Sequence, residues 1–121
     1  MDIIIDERNS VPIYEQIHLQ VASQILDGRL EPGQLLPSIR TIARELGISV
    51  ITIKKAWELL EGDDLIYTRP GRGSFVAEHP TNTLTAKRLS LAIERFRQEA
   101  PYYRSLAIST DELLAIIRQE Y

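Results

Sequence analysis

The residues in this sequence that could do chemistry are basic side chains gathered in one region. Four of them lie between positions 38 and 55, against the single acid Glu45: Arg40, Arg44, Lys54 and Lys55. Arg69 and Arg72 follow a short distance later. Guanidinium and ammonium groups neutralise phosphates, and arginine also pairs with the acceptor edge of guanine. The pattern indicates a surface that could contact nucleic acid, with ordinary solvated helix faces as the alternative.

The charge of the whole chain runs against a nucleic-acid face. The formal net charge is −3 over 121 residues, whereas nucleic-acid-binding domains are often basic. Acids are concentrated on either side of the basic helices, at the N-terminus and in the segment just before Arg69: Asp2, Asp6, Glu7, Glu58, Glu61, Asp63 and Asp64. A local basic face on an acidic chain can still neutralise phosphates, although it adds little long-range steering.

Residues for catalysis or metal binding do not form a recognisable set. The sequence has no cysteine, which excludes disulfides, thiol nucleophiles and thiolate metal sites. His18 and His79 have no second histidine or carboxylate at metal-ligand spacing. The neighbouring acids Asp63 and Asp64 are typical of a solvated turn at a helix end. We therefore expect no enzyme activity, no cofactor and no metal.

Size and hydropathy predict a small cytoplasmic protein. A chain of 121 residues with 44% hydrophobic content can bury one modest core. No apolar run is long enough to span a membrane, and the N-terminal segment lacks the layout of a signal peptide. We expect no membrane partner.

Two helical patterns position the first four basic residues. Ser38 is a suitable N-cap for the earlier helix, Gly47 interrupts it, and Ser49 can cap the later one. The buried stripe of the later helix is expected at helical spacing: Ile53, Ala56, Trp57 and Leu60. Trp57 is expected to anchor the core rather than to stack on a ligand. Two short helices joined by a glycine-containing turn are typical of a helix-turn-helix, whose second helix enters the DNA major groove.

A β-hairpin with a basic tip is predicted after the second helix. The segment LIYTR meets PGRG and then SFVAE, so two strand patterns flank a proline- and glycine-rich turn. The Gly71–Gly73 stretch lies between strands rather than between a strand and a helix, so it is not a nucleotide-phosphate loop. A helix-turn-helix followed by a hairpin is a winged helix.

The N-terminal part supplies a further helix and a short strand. Residues 2–5 are rich in β-branched side chains and are expected to form a strand that could pair with the hairpin. A helix is predicted from about Pro12 to Gly28, with its apolar face at a spacing of four: Ile13, Ile17, Val21 and Ile25.

After Glu78 the chain changes character. Residues 79–82 predict a polar, helix-breaking linker, and a helical run follows from Leu84. Pro101 is expected to kink or end that helix, and Ser109 to cap a last one. Two such helices cannot form an independent core, so their apolar stripes need either the first domain or a second chain. A symmetric dimer is the economical solution.

These residues resemble a known family. The string LPSIRTIARELGIS…TIKKAWELLE…LI…GRGSFV is similar to the DNA-binding domain of GntR-family bacterial transcription regulators. The preceding VPIYEQI and DGRLEPGQLLPS resemble that family's first helix and the loop after it. The resemblance covers residues 10–76. The short two-helix tail resembles the YtrA subfamily, in which the tail dimerises the protein.

The resemblance implies DNA contacts at matching positions. Arg40 matches an arginine early in the second helix that contacts DNA. Ser49, Thr52 and Lys54 match positions at the start of the recognition helix that touch phosphate or bases. Residues 71–73 match the wing tip, which in the family enters the minor groove.

Two positions depart from the family pattern. Many members have arginine directly after the recognition-helix serine, where this sequence has Val50 and Ile51. We hypothesise apolar contact with thymine methyl groups there. The family commonly has glycine between the third helix and the wing, where this sequence has Asp64, and aspartate tolerates the left-handed conformation better than most residues.

The predicted fold is mainly α with a small β-hairpin: a winged helix-turn-helix domain at 1–78 and a two-helix dimerisation tail at 79–121. The predicted DNA-binding residues are Ser38, Arg40, Ser49, Val50, Ile51, Thr52, Lys54, Arg69, Gly71, Arg72 and Gly73. The predicted dimerisation residues are Leu84, Leu89, Ile93, Phe96, Leu113, Leu114 and Ile117.

The predicted function is sequence-specific DNA binding by a homodimeric transcriptional regulator, expected to be a repressor of a palindromic operator. The tail is too short to enclose a small-molecule effector within one chain, although a dimer interface could hold one. The alternative is a winged-helix protein-docking module without direct DNA binding, which the acidic balance would suit.

Overall fold

Five helices and one hairpin follow one another in the computed structural model, which describes residues 1–78 and 81–121. Their bounds are α1 Ile13–Leu26, α2 Ile39–Leu46, α3 Val50–Gly62, β1 Ile66–Arg69, β2 Gly73–Val76, α4 Thr81–Ser105 and α5 Thr110–Glu120. The mainly α class with a small antiparallel hairpin is thus confirmed. The predicted linker residues His79 and Pro80 lie outside the described residues, as does the side chain of Leu84.

The described chain forms two compact units, residues 1–88 and 89–121. The division falls within α4, C-terminal to the boundary predicted near residue 79. Thr81 and Asn82, expected in a helix-breaking linker, are instead the first residues of α4. Polar residues suit a helix start, where the first backbone N–H groups lack helical partners. The linker prediction is therefore wrong at these two positions.

The core of the first unit lies between α1 and α3. Ile17 and Val21 of α1 and Ile53 and Leu60 of α3 are fully buried. Trp57 is 3% exposed, so its prediction as a core anchor is confirmed. Because the buried positions of α3 recur at helical spacing, one side of this helix is fixed in the core and the other faces outward.

The caps predicted for α2 and α3 form with the same geometry. Ser38 Oγ accepts a hydrogen bond from the backbone N–H of Thr41 at 3.1 Å, and Gly47 is the C-cap of α2. Ser49 Oγ accepts from the backbone N–H of Thr52 at 3.2 Å. The bounds of the helix-turn-helix are therefore set by short polar side chains close in sequence.

The hairpin pairs Ile66 with Val76 at its base and Arg69 with Gly73 at its tip. The loop before α2 adds a third line of backbone contacts along β2. Leu36 N–H donates to the Ser74 carbonyl at 2.9 Å, and Gly33 N–H donates to the Val76 carbonyl at 2.7 Å. The wing is thereby joined to the loop that leads into α2.

The strand prediction for the N-terminal segment is wrong, because residues 2–5 neither form a strand nor pair with the hairpin. The backbone of this segment instead pairs with a column of glutamine side chains on α1, at a spacing of four. Each amide accepts from an N–H and donates to the carbonyl of the same residue: Gln16 with Asp6, Gln20 with Ile4, and Gln24 with Asp2. The six distances run from 2.6 to 3.3 Å. A side-chain amide has the same donor and acceptor as a peptide group, so the column substitutes for a neighbouring strand.

Of the two outcomes expected at Pro101, an end of the helix is wrong, because α4 continues through it. A kink there stays a prediction. Proline removes one helical N–H donor, and side-chain hydrogen bonds link the helical turns on either side of it. Glu99 accepts hydrogen bonds from Arg95 Nε and from the Tyr103 hydroxyl, both at 3.0 Å. The hydrogen bond from Arg95 holds the pKa of Glu99 below its usual 4.5, and the bond to Glu99 raises the pKa of Tyr103.

The last helix begins as predicted. Ser109 Oγ accepts from the backbone N–H of Glu112 at 3.1 Å, while the Glu112 carboxylate accepts from the Ser109 N–H at 3.2 Å. This reciprocal capping box fixes the start of α5. Within the described residues, no helix is long and apolar enough to cross a bilayer.

Candidate nucleic-acid interface

The outward side of α3 carries an unusual mixture of apolar and basic residues at its start. Val50 is 46% exposed and Ile51 is 80% exposed, both in the first turn. Lys54 follows one turn later and is also exposed. Residues three and four positions apart lie side by side on a helix, so Lys54 neighbours both Val50 and Ile51. Ile51 lies opposite the buried stripe, whereas Val50 borders it at the exposed end of the helix. The structure thus groups the recognition-helix residues that the sequence singled out.

Ser38, Ser49 and Thr52 are engaged within the fold. Ser49 Oγ lies 2.8 Å from Thr52 Oγ1 in addition to accepting the Thr52 N–H. Ser38 makes the equivalent pair of contacts with Thr41. These hydroxyl groups cap helices. Any phosphate contact from them would use their remaining hydrogen-bonding capacity or the adjacent backbone N–H groups.

The basic residues divide into engaged and free side chains. Lys55 Nζ lies 4.0 Å from the centre of the Tyr14 ring, and the Arg69 guanidinium lies 5.2 Å from the centre of the Tyr67 ring. Arg40, Lys54 and Arg72 are exposed and make no ion pair or ring contact with any residue that the structure describes. The second group is therefore the one available to a phosphate or a base edge.

A tight turn holds Arg72 at the end of the wing. The Arg72 N–H donates to the Arg69 carbonyl at 3.0 Å, and Pro70 and Gly71 occupy the centre of the turn. Gly71 has φ +75°, the left-handed value that a type II turn requires after its proline. Tyr67 and Phe75 stack across the hairpin with ring centres 5.5 Å apart, which stiffens its base.

One feature of the wing is not predictable from local sequence: the contact of Leu35 with β2. Leu35 bridges Phe75, and a Cβ added at Gly73 would lie 3.1 Å from Leu35 Cδ1. A side chain at position 73 would make a tight contact with Leu35, and the φ of +116° at Gly73 favours glycine in addition. Since Leu35 sits in a loop pattern, only the three-dimensional pairing reveals this role.

The histidine that sequence alone left without a partner lies in a structural contact. His18 is 7% exposed, and its Nε2 lies 2.8 Å from Asp63 Oδ2 at the end of α3. Asp63 is thus more than the solvated turn residue expected from sequence, because it joins α3 to α1. Across the part of the chain that the structure describes, no group of histidine, cysteine, aspartate and glutamate residues could hold a metal ion.

Asp64 adopts the left-handed conformation expected for it, with φ +57°. The predicted dimerisation residues in the tail are largely exposed. The exposed fractions are 64% for Leu89, 43% for Ile93, 49% for Phe96, 41% for Leu114 and 48% for Ile117. Leu113 is half-buried. The tail therefore presents apolar side chains that the chain itself leaves uncovered.

Comparison with known proteins identifies the family of the first unit. Residues 13–76 match the family described as "Bacterial regulatory proteins, gntR family". The chain is 38% identical over 94 residues to the HTH-type transcriptional repressor YtrA of Bacillus subtilis, covering 78% of this chain and 72% of that protein.

Solved structures have the same architecture. A GntR family transcriptional regulator from Listeria monocytogenes superposes with a TM-score of 0.72 and 27% identity, covering 95% of this chain and 98% of that one. The DBD of AraR, solved in complex with operator ORX1, superposes with a TM-score of 0.57 and 30% identity, covering 64% of this chain and 96% of that one. The chain therefore belongs to the gntR family of bacterial regulatory proteins, is YtrA-like, and is a DNA-binding transcriptional regulator.

Proposed function

We propose that two copies of this chain bind a palindromic operator and repress transcription. In this proposal the recognition helix, about residues 49–61, lies in the major groove and the wing tip, residues 70–73, lies in the minor groove. The observation that carries it is the outward surface at the start of α3, where Val50, Ile51 and Lys54 are exposed next to a well-capped helix end.

The start of α3 suits the major groove for geometric reasons. In helix-turn-helix proteins the N-terminal residues of the second helix contact base edges. The buried stripe of α3 faces the core, so its other side is free to enter the groove. Lys54 can then reach a phosphate or a guanine edge, and Arg40 at the start of α2 can contact the backbone.

The wing tip suits the minor groove because of its size and charge. Gly71 and Gly73 have no side chains, so the backbone of the turn can approach the groove closely. Arg72 has no partner among the described side chains and can insert between the phosphate strands, where the potential is most negative. Arg69 folds back over Tyr67 and is expected to contribute less.

The exposed tail supports a homodimer. Apolar faces on α4 and α5 of two chains would cover each other about a two-fold axis. Two recognition helices presented in this way would read half-sites about 34 Å apart, one helical turn of DNA. Repression is the activity named for the YtrA and NagR relatives of Bacillus subtilis. A regulator bound to its operator would prevent other proteins from binding the same DNA.

The test is a mobility-shift titration of an operator selected from random duplex DNA. We expect Arg72→Ala and Arg40→Ala each to weaken binding, by roughly tenfold per lost charged contact. Arg69→Ala should have a smaller effect because its guanidinium already lies on Tyr67. Arg118→Ala, an exposed position in α5, is the matched control for loss of one positive charge. Parental affinity in both Arg40→Ala and Arg72→Ala would show that the operator is bound through another surface. Failure to select any DNA sequence would favour the protein-docking alternative.

A further inference from the structure

We propose that Ile51, with Val50 beside it, reads the 5-methyl group of a thymine in each operator half-site. The inference rests on the proposed function, because it concerns what the start of α3 meets in the major groove. It adds a specific base and a specific chemical group to that contact.

The first observation is the exposure of Ile51. Its side chain is 80% exposed, whereas Ile53 two positions later is fully buried. Val50 is also 46% exposed, so the helix begins with two consecutive exposed β-branched residues. β-Branched residues are weak helix formers, so neither burial nor helix propensity accounts for them there. Single exposed apolar residues are common on protein surfaces, but this pair sits at the end of α3 that would meet the bases.

The second observation is that the side-chain hydroxyls of the same turn pair with each other. The hydroxyl of Ser49 caps the helix and lies 2.8 Å from the hydroxyl of Thr52. The exposed apolar side chains of the first turn are those of Val50 and Ile51. Lys54, one turn further on, supplies the nearest free charge and suits a phosphate or guanine next to the apolar contact.

The major groove offers one apolar group, and it belongs to thymine. The other groups that bases present there are hydrogen-bond donors and acceptors. An isoleucine pressed against such an edge would strip it of water and return no hydrogen bond, which is unfavourable. Against a thymine methyl, the same side chain buries apolar surface on both partners. The surface therefore favours thymine by attraction and disfavours the other bases by desolvation.

The experiment replaces each thymine of the selected operator, one at a time, by deoxyuridine, which removes only the 5-methyl group. Burial of one methyl group corresponds to about a fourfold change in affinity. We expect one or two thymines per half-site at which deoxyuridine weakens binding by about that factor. In Ile51→Ala the loss at these positions should disappear, because the side chain that meets the methyl group is gone.

Ile4→Ala is the matched control variant. Ile4 is 79% exposed, nearly the same as Ile51, but it lies on the N-terminal segment paired with α1. This variant should bind the operator and its deoxyuridine derivatives like the parent. Thermal unfolding should be unchanged in both variants, because neither side chain is buried.

A reciprocal substitution isolates the methyl group on a different base. At a sensitive position, a pair of 5-methylcytosine with guanine should bind about fourfold more tightly than the unmethylated cytosine pair. The two duplexes differ only in the methyl group that the inference assigns to Ile51.

The outcomes separate this inference from the proposed function. An operator that is bound tightly but has no deoxyuridine-sensitive thymine overturns the inference and leaves the function standing. Equal sensitivity in the parent and Ile51→Ala overturns the role of Ile51. Failure to select any DNA sequence overturns the proposed function, and the inference with it.

Discussion

The two compact units of this chain differ in how far their apolar side chains are buried. In residues 1–88, Ile17, Ile53 and Leu60 are fully buried, and the chain supplies everything that covers them. In residues 89–121, Leu89 is 64% exposed and Phe96 is 49% exposed, and α5 has no buried residue. The first unit therefore has a core of its own, whereas the apolar faces of the second remain to be covered. The free energy of unfolding of the first unit should therefore be independent of protein concentration, and that of the second unit should depend on it.

The largest effect is expected from a change in the core of the first unit. Trp57→Ala removes a side chain that is 3% exposed and leaves a cavity between α3 and its neighbours. We expect it to lower the free energy of unfolding by about 3–5 kcal/mol. Urea unfolding followed by far-UV circular dichroism measures this.

Ile51→Ala is the control for the core variant, because its side chain is 80% exposed in the same helix. We expect a change within about 0.5 kcal/mol. A loss at Trp57 as small as the loss at Ile51 would contradict the assignment of the core.

The next effect is expected in the tail. Phe96→Asp places a charge on the apolar face of α4 and should convert the proposed dimer to a monomer, because a buried charge without a partner is costly. Operator affinity should then fall by about 100-fold or more, since two linked half-site contacts become independent. Sedimentation velocity and mobility shifts report the two results.

Ser90→Asp adds the same charge at an exposed polar position of α4 and should remain dimeric. The first unit should unfold at the parental urea concentration in both tail variants. If Phe96→Asp stays dimeric, the tail is not the dimer contact. If it also destabilises the first unit, the two units are not independent.

The smallest effect comes from two non-glycine residues in the left-handed conformation, one in each unit. Asp64 has φ +57° between α3 and the wing, and Ala107 has φ +57° between α4 and α5. Glycine adopts this conformation without the steric cost, so Asp64→Gly and Ala107→Gly should each stabilise by about 1 kcal/mol. The unfolding temperature of each variant, measured at several protein concentrations, distinguishes the effect in one unit from the effect in the other.

The gain from Asp64→Gly should be the same at every concentration, because the first unit folds within one chain. The gain from Ala107→Gly should appear in a transition that rises with concentration. The same concentration dependence for both would argue against the contrast between the units.

The parts of the fold that the sequence predicts correctly are fixed by local chemistry. Ser38 and Ser49 cap their helices through backbone groups three residues away, so the bounds of α2 and α3 follow from short stretches. Ser109 sets the start of α5 in the same way. The burial of Trp57 follows from helical periodicity.

The parts that the sequence misses depend on contacts between distant positions. The β-branched N-terminal segment has the composition of a strand, but its backbone pairs with side chains of α1 such as Gln20. Composition does not specify what a strand-like segment pairs with. The spacing of four between the glutamines of α1 is compatible with the pairing that is found. Helix α4 continues through Pro101, where propensity favours an end.

At the candidate site, the positions of the basic residues could be predicted but their engagement could not. Lys54 and Lys55 are neighbours in sequence, yet Lys55 lies over Tyr14 and Lys54 is free. Arg69 and Arg72 differ in the same manner, because only Arg69 lies over a tyrosine ring. The Lys55 contact depends on how α1 packs against α3, which local sequence does not specify. Tyr67 and Arg69 are two positions apart on one face of β1, so a strand prediction allows their contact but does not require it.

We propose that this acidic chain binds DNA through the start of α3 and the wing. The most direct measurement is the affinity for a selected operator over a range of salt concentrations. We predict that the logarithm of the association constant falls linearly with the logarithm of salt concentration, by about 0.9 per phosphate neutralised. Arg72→Ala should make that slope shallower by about one unit. A slope near zero would contradict DNA binding through phosphate contacts. A slope that Arg72→Ala leaves unchanged would contradict a phosphate contact by the wing.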